Sequence, residues 1–279
     1  MFVTPAAVVL GVFVVYPIVR TLWMSLHDWS LSGQNTEWVG LENYRQLVHD
    51  GRFWNAVRVT FVYTMFAVSA QLALGLALAY RLRQTTWLSS IVRSAYFFPT
   101  IAALSTMGLV WRFILDPQIG LINAWTGAVG LASPEWLRST TWALPAVIVV
   151  GIWKNVGLTM LVIVSALQGV PPELEEAAQL DGANAWERFR HVLVPSIRPA
   201  LLFVSVINTI ASLQLFDLVF SMTRGGPLFR TETLVAYMYE RGFRDFRFGY
   251  AAAISWVLFV VIMLVSVVQL RVFRDADVD

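Results

Sequence analysis

The sequence predicts an all-α membrane protein with six transmembrane helices. Three observations carry that reading. Of 279 residues, 57% are hydrophobic and only 14% charged, where soluble domains average about 25% charged. The charges are also clumped. Met1–Val19, Val59–Tyr80, Ser94–Trp111 and Tyr250–Leu270 contain no Asp, Glu, Lys or Arg, and two further runs carry one each: Trp142–Leu167 with Lys154, and Pro199–Met222 with Asp217. About 20 apolar residues span a bilayer as a helix, and all six runs are near that length. So few charges cannot cover the water-facing surface of a soluble protein of this size.

In order, the first helix is about 3–24. It begins almost at Met1 with no basic lead and too long an apolar core for a signal peptide, so it reads as a membrane helix. A polar segment with short surface helices follows, about 27–58. Helix two is about 56–80. The basic connection Arg81–Arg93 leads to helix three, about 92–115. Pro117, Gly120, Gly127, Gly130 and Pro134 mark 116–140 as a loop. Helix four is about 142–168 and helix five about 199–223, with a charged island between them at 169–198. Gly225-Gly226-Pro227 breaks the chain, and an aromatic, Arg-rich stretch precedes helix six, about 250–272. No internal repeat or separate soluble domain is evident, so 1–279 reads as one transmembrane domain.

Composition excludes several functions. There are no cysteines, and His27, His49 and His191 are scattered, so no metal site is expected. No H-E-x-x-H, G-x-S-x-G or His/acid cluster points to catalysis. Nothing indicates nucleic-acid binding. A phosphate-binding P-loop needs a lysine after its last glycine, and the only lysine, Lys154, lies within helix four. The chain cannot bind ATP that way, so any ATP energy would have to come from a partner. A stand-alone ion-coupled transporter or channel is the competing class, although such proteins often show internal repeats and several intramembrane acids. Charge does not decide sidedness: Arg81–Arg93, 173–198 and the C-terminal segment carry eight arginines, and the opposite loops nine.

The island carries the most information. Proline is favoured in the first turn of a helix, so a short helix can start near Pro172, with Glu173, Glu175 and Glu176 at its positive end. Asp181-Gly182 stops it, because glycine accepts the left-handed conformation that ends helices. Asn184 and Glu187 fit a capping box for a second helix, with Trp186, Phe189 and Val192–Leu193 on one apolar face. Pro195 and Pro199 end it. Ala177 and Ala178 let another surface approach closely. A helix pair lying on the bilayer would read the same way.

Glu176-Ala177-Ala178, then Gly182 after three residues, then Val192-Leu193-Val194-Pro195 after nine, resembles the EAA loop of binding-protein-dependent ABC importer permeases. Valines stand at its two aliphatic positions. Tyr16-Pro17, Gly40-Leu41-Glu42-Asn43-Tyr44, Phe216-Asp217, Thr223-Arg224-Gly225-Gly226-Pro227 and Phe248-Gly249-Tyr250-Ala251-Ala252 occur in the order seen in the carbohydrate-uptake branch, of maltose and glycerol-3-phosphate type. The resemblance implies a type I ABC importer permease fold in a bacterial or archaeal plasma (inner) membrane, with both termini and the EAA loop cytoplasmic. It implies as partners a second, related permease, two ATPase subunits that bind the ATP and Mg, an external solute-binding protein and membrane lipid; the chain itself would hold no cofactor. Glu173, Glu176, Ala177, Ala178, Leu180, Asp181 and Gly182 would form the ATPase-coupling site. Lys154, Asn155 and Leu158 on helix four, with Asn208, Ser212 and Leu215 on helix five, would line the pathway of an oligosaccharide or disaccharide, with glycerol-3-phosphate or a polyol as alternatives. Intramembrane charges usually pair or line water, so Lys154 is expected either to pair with Asp217 or to meet solute. For the polar residues of helix five, interhelical hydrogen bonds are the alternative to solute contact.

Overall fold

In a computed structural model, residues 3–29, 36–130 and 133–275 are described. The chain ends and parts of the 27–58 and 116–140 segments lie outside the described residues. Among the described residues, four helices are long and apolar enough to cross a membrane, and up to six spans result if two sharply bent helix pairs each count as one. The first is α1, Thr4–Ser25. A two-residue antiparallel pairing of His27–Asp28 (β1) with Glu37–Trp38 (β2) and a short helix α2, Glu42–His49, follow. Helix α3, Gly51–Arg81, is the longest, about 46 Å at 1.5 Å per residue. It packs along α7, Ala143–Gln168, and α10, Arg198–Leu213. The last span, α13, runs Phe248–Asp275.

The third predicted span differs in two ways. Most of the expected basic connection is helical, because Thr86 and Ser89 form a reciprocal capping box that starts α4 at Trp87. The span is also broken: α4, Trp87–Ile101, and α5, Leu104–Ile114, meet at 100°. Pro99 weakens the last turn of α4 by lacking an N–H, and Ala102 and Ala103 then take extended conformations. A short helix α6, Leu121–Ala128, lies in the loop that follows.

The fifth span is interrupted as well. Helix α10 ends at Leu213 and a separate helix α11, Asp217–Met222, follows. The chain enters α10 through a 70° bend from α9, Ala185–Ser196, flanked by Pro195 and Pro199. Two π-helical turns, Gly11–Val15 and Phe189–Leu193, contain the carbonyls four residues before Pro17 and Pro195. A proline ring clashes with that carbonyl in a regular helix, and the wider turn makes room.

The core is stacked along α3. Near its start, Phe53 and Ala56 pack with Leu213, Tyr237 and Ile254. In the middle, Tyr63 and Ala67 meet Val147, Leu218 and Val219. Near its end, Ala79 meets Met160, Ile163, Leu193 and Ile197. Close helix approach depends on small residues, as in membrane bundles generally. A Cβ on Gly157 would sit 2.0 Å from the Tyr96 carbonyl oxygen, and one on Gly108 would sit 1.8 Å from the Ser221 hydroxyl. In contrast, α1 is anchored mainly at its end, where Ser25 bonds Tyr44 at 2.8 Å and the Asn43 amide donates to the Ser25 and His27 carbonyls. Most of its surface faces away from the bundle.

At the start of α3, Asp50 caps the helix by accepting from the Arg52 and Phe53 amides. It also accepts hydrogen bonds from the Tyr237 and Tyr250 hydroxyls. Burial pushes its carboxyl up, but these four hydrogen bonds outweigh that and hold it below the usual range.

Gly157→Ala places the new methyl against immovable backbone, so α4 and α7 must separate. The expected loss is about 1–3 kcal/mol, read as a lower thermal unfolding midpoint of the purified protein in detergent.

Candidate functional site

The 169–198 segment folds into two helices outside the bundle. Helix α8, Pro172–Leu180, begins with its proline in the first turn. Its end is closed by Ala183 N–H donating to the Ala178 carbonyl at 2.9 Å and Gly182 N–H to the Gln179 carbonyl at 3.1 Å, with Gly182 at φ +85°. That pair of bonds, closed by a left-handed glycine, is the Schellman helix stop. Helix α9 starts on the capping box: the Asn184 side chain accepts from Trp186 and Glu187 N–H, both at 3.0 Å, and Glu187 returns a carboxylate to the Asn184 N–H at 2.7 Å. Phe189 packs edge-on to Tyr80 at 4.8 Å, and Leu193 is buried.

Helix α8 has two faces. Glu173, Glu176, Ala177 and Leu180 are exposed, spaced as one helical stripe. Leu180 is 90% exposed, an unusual position for a leucine unless another surface covers it. Asp181 and Gly182 are exposed at the elbow beyond it. Ala178 is half-buried, and Glu175 turns inward to pair with Arg83. The sequence placed Glu175 at the positive end of this helix, but nothing there pointed to Arg83 as its partner. They are 92 residues apart, and no local pattern joins them.

The expected pairing of Lys154 with Asp217 does not form. The Lys154 ammonium donates to the Thr100 carbonyl at 3.3 Å, and the Thr100 hydroxyl donates to the Lys154 carbonyl at 2.8 Å. The break after Ile101 leaves the last carbonyls of α4 without helical partners, and a cation is favoured at that negative end. Asp217 instead starts α11, where its carboxylate accepts from the Ser105 hydroxyl at 3.1 Å. The bend in the third span brings the end of α4, and not Asp217, to Lys154.

The other proposed pathway residues divide. Asn208, Ser212 and Leu215 are buried within the subunit, and the Asn208 amide donates to the Thr159 hydroxyl at 2.9 Å, joining α10 to α7. Asn155 is half-buried and Leu158 exposed. The open face of α10 and α11 carries Ile207, Ala211, Gln214, Asp217 and Phe220. Gln214 and Asp217 are its polar members. The sequence did not show which face of helix five opens. Among the described residues, no group of three or more His, Asp or Glu is placed to hold a metal.

Comparison with known proteins fits this architecture. The family described as "Binding-protein-dependent transport system inner membrane component" matches residues 71–276, and the chain belongs to it. It is a membrane subunit of a transport system that depends on a binding protein, and its role is transport, not catalysis. The chain is 34% identical over 281 residues to the probable ABC transporter permease protein y4oQ of Sinorhizobium fredii, covering 100% of this chain and 91% of that one. It is 32% identical over 278 residues to the sulfoquinovosyl glycerol transport system permease protein SmoG of Agrobacterium fabrum, with 99% and 90% covered. It is 32% identical over 283 residues to the lactose transport system permease protein LacF of Rhizobium radiobacter, with 99% and 93% covered. The fold matches a crystal structure of a bacterial ABC transporter involved in import of the acidic polysaccharide alginate, with TM-score 0.86, 21% identity, and 97% and 93% of the chains covered.

Lys154→Met removes the cation from the end of α4 and should cost about 1.5–3 kcal/mol, measured by thermal unfolding in detergent. Combining Lys154→Asp with Asp217→Lys should restore nothing relative to the single variants.

Proposed function

We propose that this chain is one of two permease subunits of an ATP-driven importer, forming half of the pathway for a sugar or sugar-like solute. The observation that carries the reading is the exposed stripe of Glu173, Glu176, Ala177 and Leu180 on α8, ended by the Gly182 elbow. Small and acidic residues with a bare leucine suit docking into a cleft of a second protein. A helix pair lying flat on lipid would turn its apolar side chains to the membrane; here Phe189 and Leu193 pack against α3 and α7, and of the large aromatic side chains of α9 Trp186 stays exposed.

In this reading α8 is the coupling helix and faces the cytoplasm with both termini. The 27–58, 116–140 and 224–248 segments face the binding protein. ATP and Mg are held by two ATPase subunits, and this chain needs no cofactor. The sugar assignment is supported by relatives named for sulfoquinovosyl glycerol, alpha-glucoside and lactose transport. Asn155, Gln214 and Asp217 on the open faces of α7, α10 and α11 offer the donors and acceptors that hydroxyl groups need, with the exposed Leu158 beside them as an apolar contact; a disaccharide or oligosaccharide suits them, and glycerol-3-phosphate or a polyol is the alternative solute. Asn208, Ser212 and Lys154 act from behind that face by holding α10 and α4 in place.

Two measurements test this. Purified from its native membrane, the chain should co-elute with an ATPase; uptake by the lone chain in vesicles would contradict the reading in favour of a stand-alone transporter. Glu176→Lys, a reversal on the exposed stripe, should lower ATP-driven uptake more than about tenfold, since like charges at an interface cost several kcal/mol, while membrane insertion stays normal.

A further inference from the structure

We propose that α3 is a connecting rod pinned at both ends by an arginine, and that Arg83 is the positioning residue that makes the coupling helix move with it. The inference rests on the permease reading above. Helix α3 contains no proline and no break across 31 residues, whereas the third and fifth spans are both broken. Helix α7 also crosses without a break and leads directly into α8, but α3 is the unbroken span whose first turn is clamped to the 224–248 segment.

At the cytoplasmic end, the Arg83 guanidinium donates to the Glu175 carboxylate on α8. Arg83 is itself held. Its carbonyl accepts from the Gln168 side-chain amide at 2.9 Å, and its guanidinium lies 4.9 Å from the Tyr80 ring centre. The turn that carries it is fastened by Arg93, which donates to the Leu82 carbonyl at 2.9 Å and to the Gln84 carbonyl at 2.8 Å. Helix α8, in contrast, buries none of its residues. A cavity of about 290 Å³, lined by residues including Arg83, Gln168, Pro172, Glu175 and Leu193, lies beneath it. Helix α8 packs on the start of α9 and, with open space under its own first half, is tied to the bundle by this charge-assisted hydrogen bond and by its chain connections. Adjacent glutamates thus have different tasks: Glu176 faces outward to the partner, and Glu175 ties α8 to the rod.

At the other end, Arg52 forks onto Glu232, Nε to Oε2 at 2.8 Å and Nη2 to Oε1 at 2.7 Å, and reaches Glu240 at 2.9 Å. Its guanidinium lies 3.8 Å from the Phe229 ring centre, and the Asn55 amide donates to the Phe229 carbonyl at 2.8 Å. Burial pushes the Glu232 carboxyl up against the opposing pull of Arg52. The 224–248 segment is therefore clamped to the first turn of α3. A shift of that segment when the binding protein docks would travel along α3 to Arg83, and through Glu175 to α8.

The test uses the complete transporter, reconstituted with its ATPases and binding protein. Basal ATPase activity and its stimulation by solute-loaded binding protein are measured for wild type, Arg83→Ala, Glu175→Gln, Arg52→Ala and the exchange R83E/E175R. The rod predicts that each single variant assembles with near-normal basal activity and loses about fivefold or more of the stimulation, the lower range of allosteric coupling, and that the exchange restores it. Glu175→Gln keeps the size and loses only the charge, so it remains informative if Arg83→Ala does not assemble. Unchanged stimulation in Glu175→Gln, or an assembled exchange that stays uncoupled, overturns the proposal. If the wild-type chain recruits no ATPase, the permease reading fails instead.

Discussion

The constraint on which the rest of this structure depends is that hydrocarbon offers no water to a broken backbone. A span may bend there only if a neighbouring side chain takes over the freed backbone groups. Both interrupted spans meet this condition. The Thr100 carbonyl at the end of α4 receives the Lys154 ammonium. The Leu215 carbonyl, in the gap between α10 and α11, receives the Thr233 hydroxyl at 2.6 Å. Asp217 begins α11, where a carboxylate suits the positive helix end, and its acceptor is used by Ser105 at the start of α5. The two broken spans are thus joined to each other, with Gly108 and Ser221 in close contact between them. Polar residues that could be taken for solute ligands partly serve the bends instead.

The bends leave the molecule with elements of different stiffness. Helix α3 is continuous and has core contacts along its whole length. Helices α5, α10 and α11 are short pieces around the gaps, and their open face carries Gln214 and Asp217. Helix α8 hangs from the bundle on two prolines and a glycine and is tied to it by one ion pair, whereas α9 packs on the bundle through Phe189 and Leu193. Such a division suits a machine in which a stiff element transmits displacement while short helices rearrange around a solute.

What the sequence made legible was local or compositional. Six apolar runs, the Pro172 start, the Gly182 stop and the Asn184–Glu187 box are each decided by residues within a few positions, so they could be read directly. The breaks were not legible as breaks. Pro99 was visible, but membrane helices tolerate proline, and an apolar run looks the same straight or bent. The partners of Lys154 and Asp217 follow from those bends, which an apolar run does not disclose. Asn208 and Ser212 were recognised as polar, yet only packing decides that both are buried, with Asn208 bonded to α7, while Gln214 is exposed. Arg83 with Glu175, and Arg52 with Glu232, are long-range pairs that no spacing rule reveals.

The account's central claim is that the stripe on α8 is a cytoplasmic docking surface for an ATPase. The chain contains no cysteine, so single cysteines report cleanly. Leu180, and Leu228 at the opposite end, are 90% and 80% exposed. Labelling with a membrane-impermeant maleimide should reach Leu180→Cys only from the cytoplasmic side and Leu228→Cys only from the other. Bound ATPase should then protect Leu180→Cys alone. Labelling of both positions from one side, or unchanged reactivity at Leu180→Cys with the ATPase bound, would contradict the account.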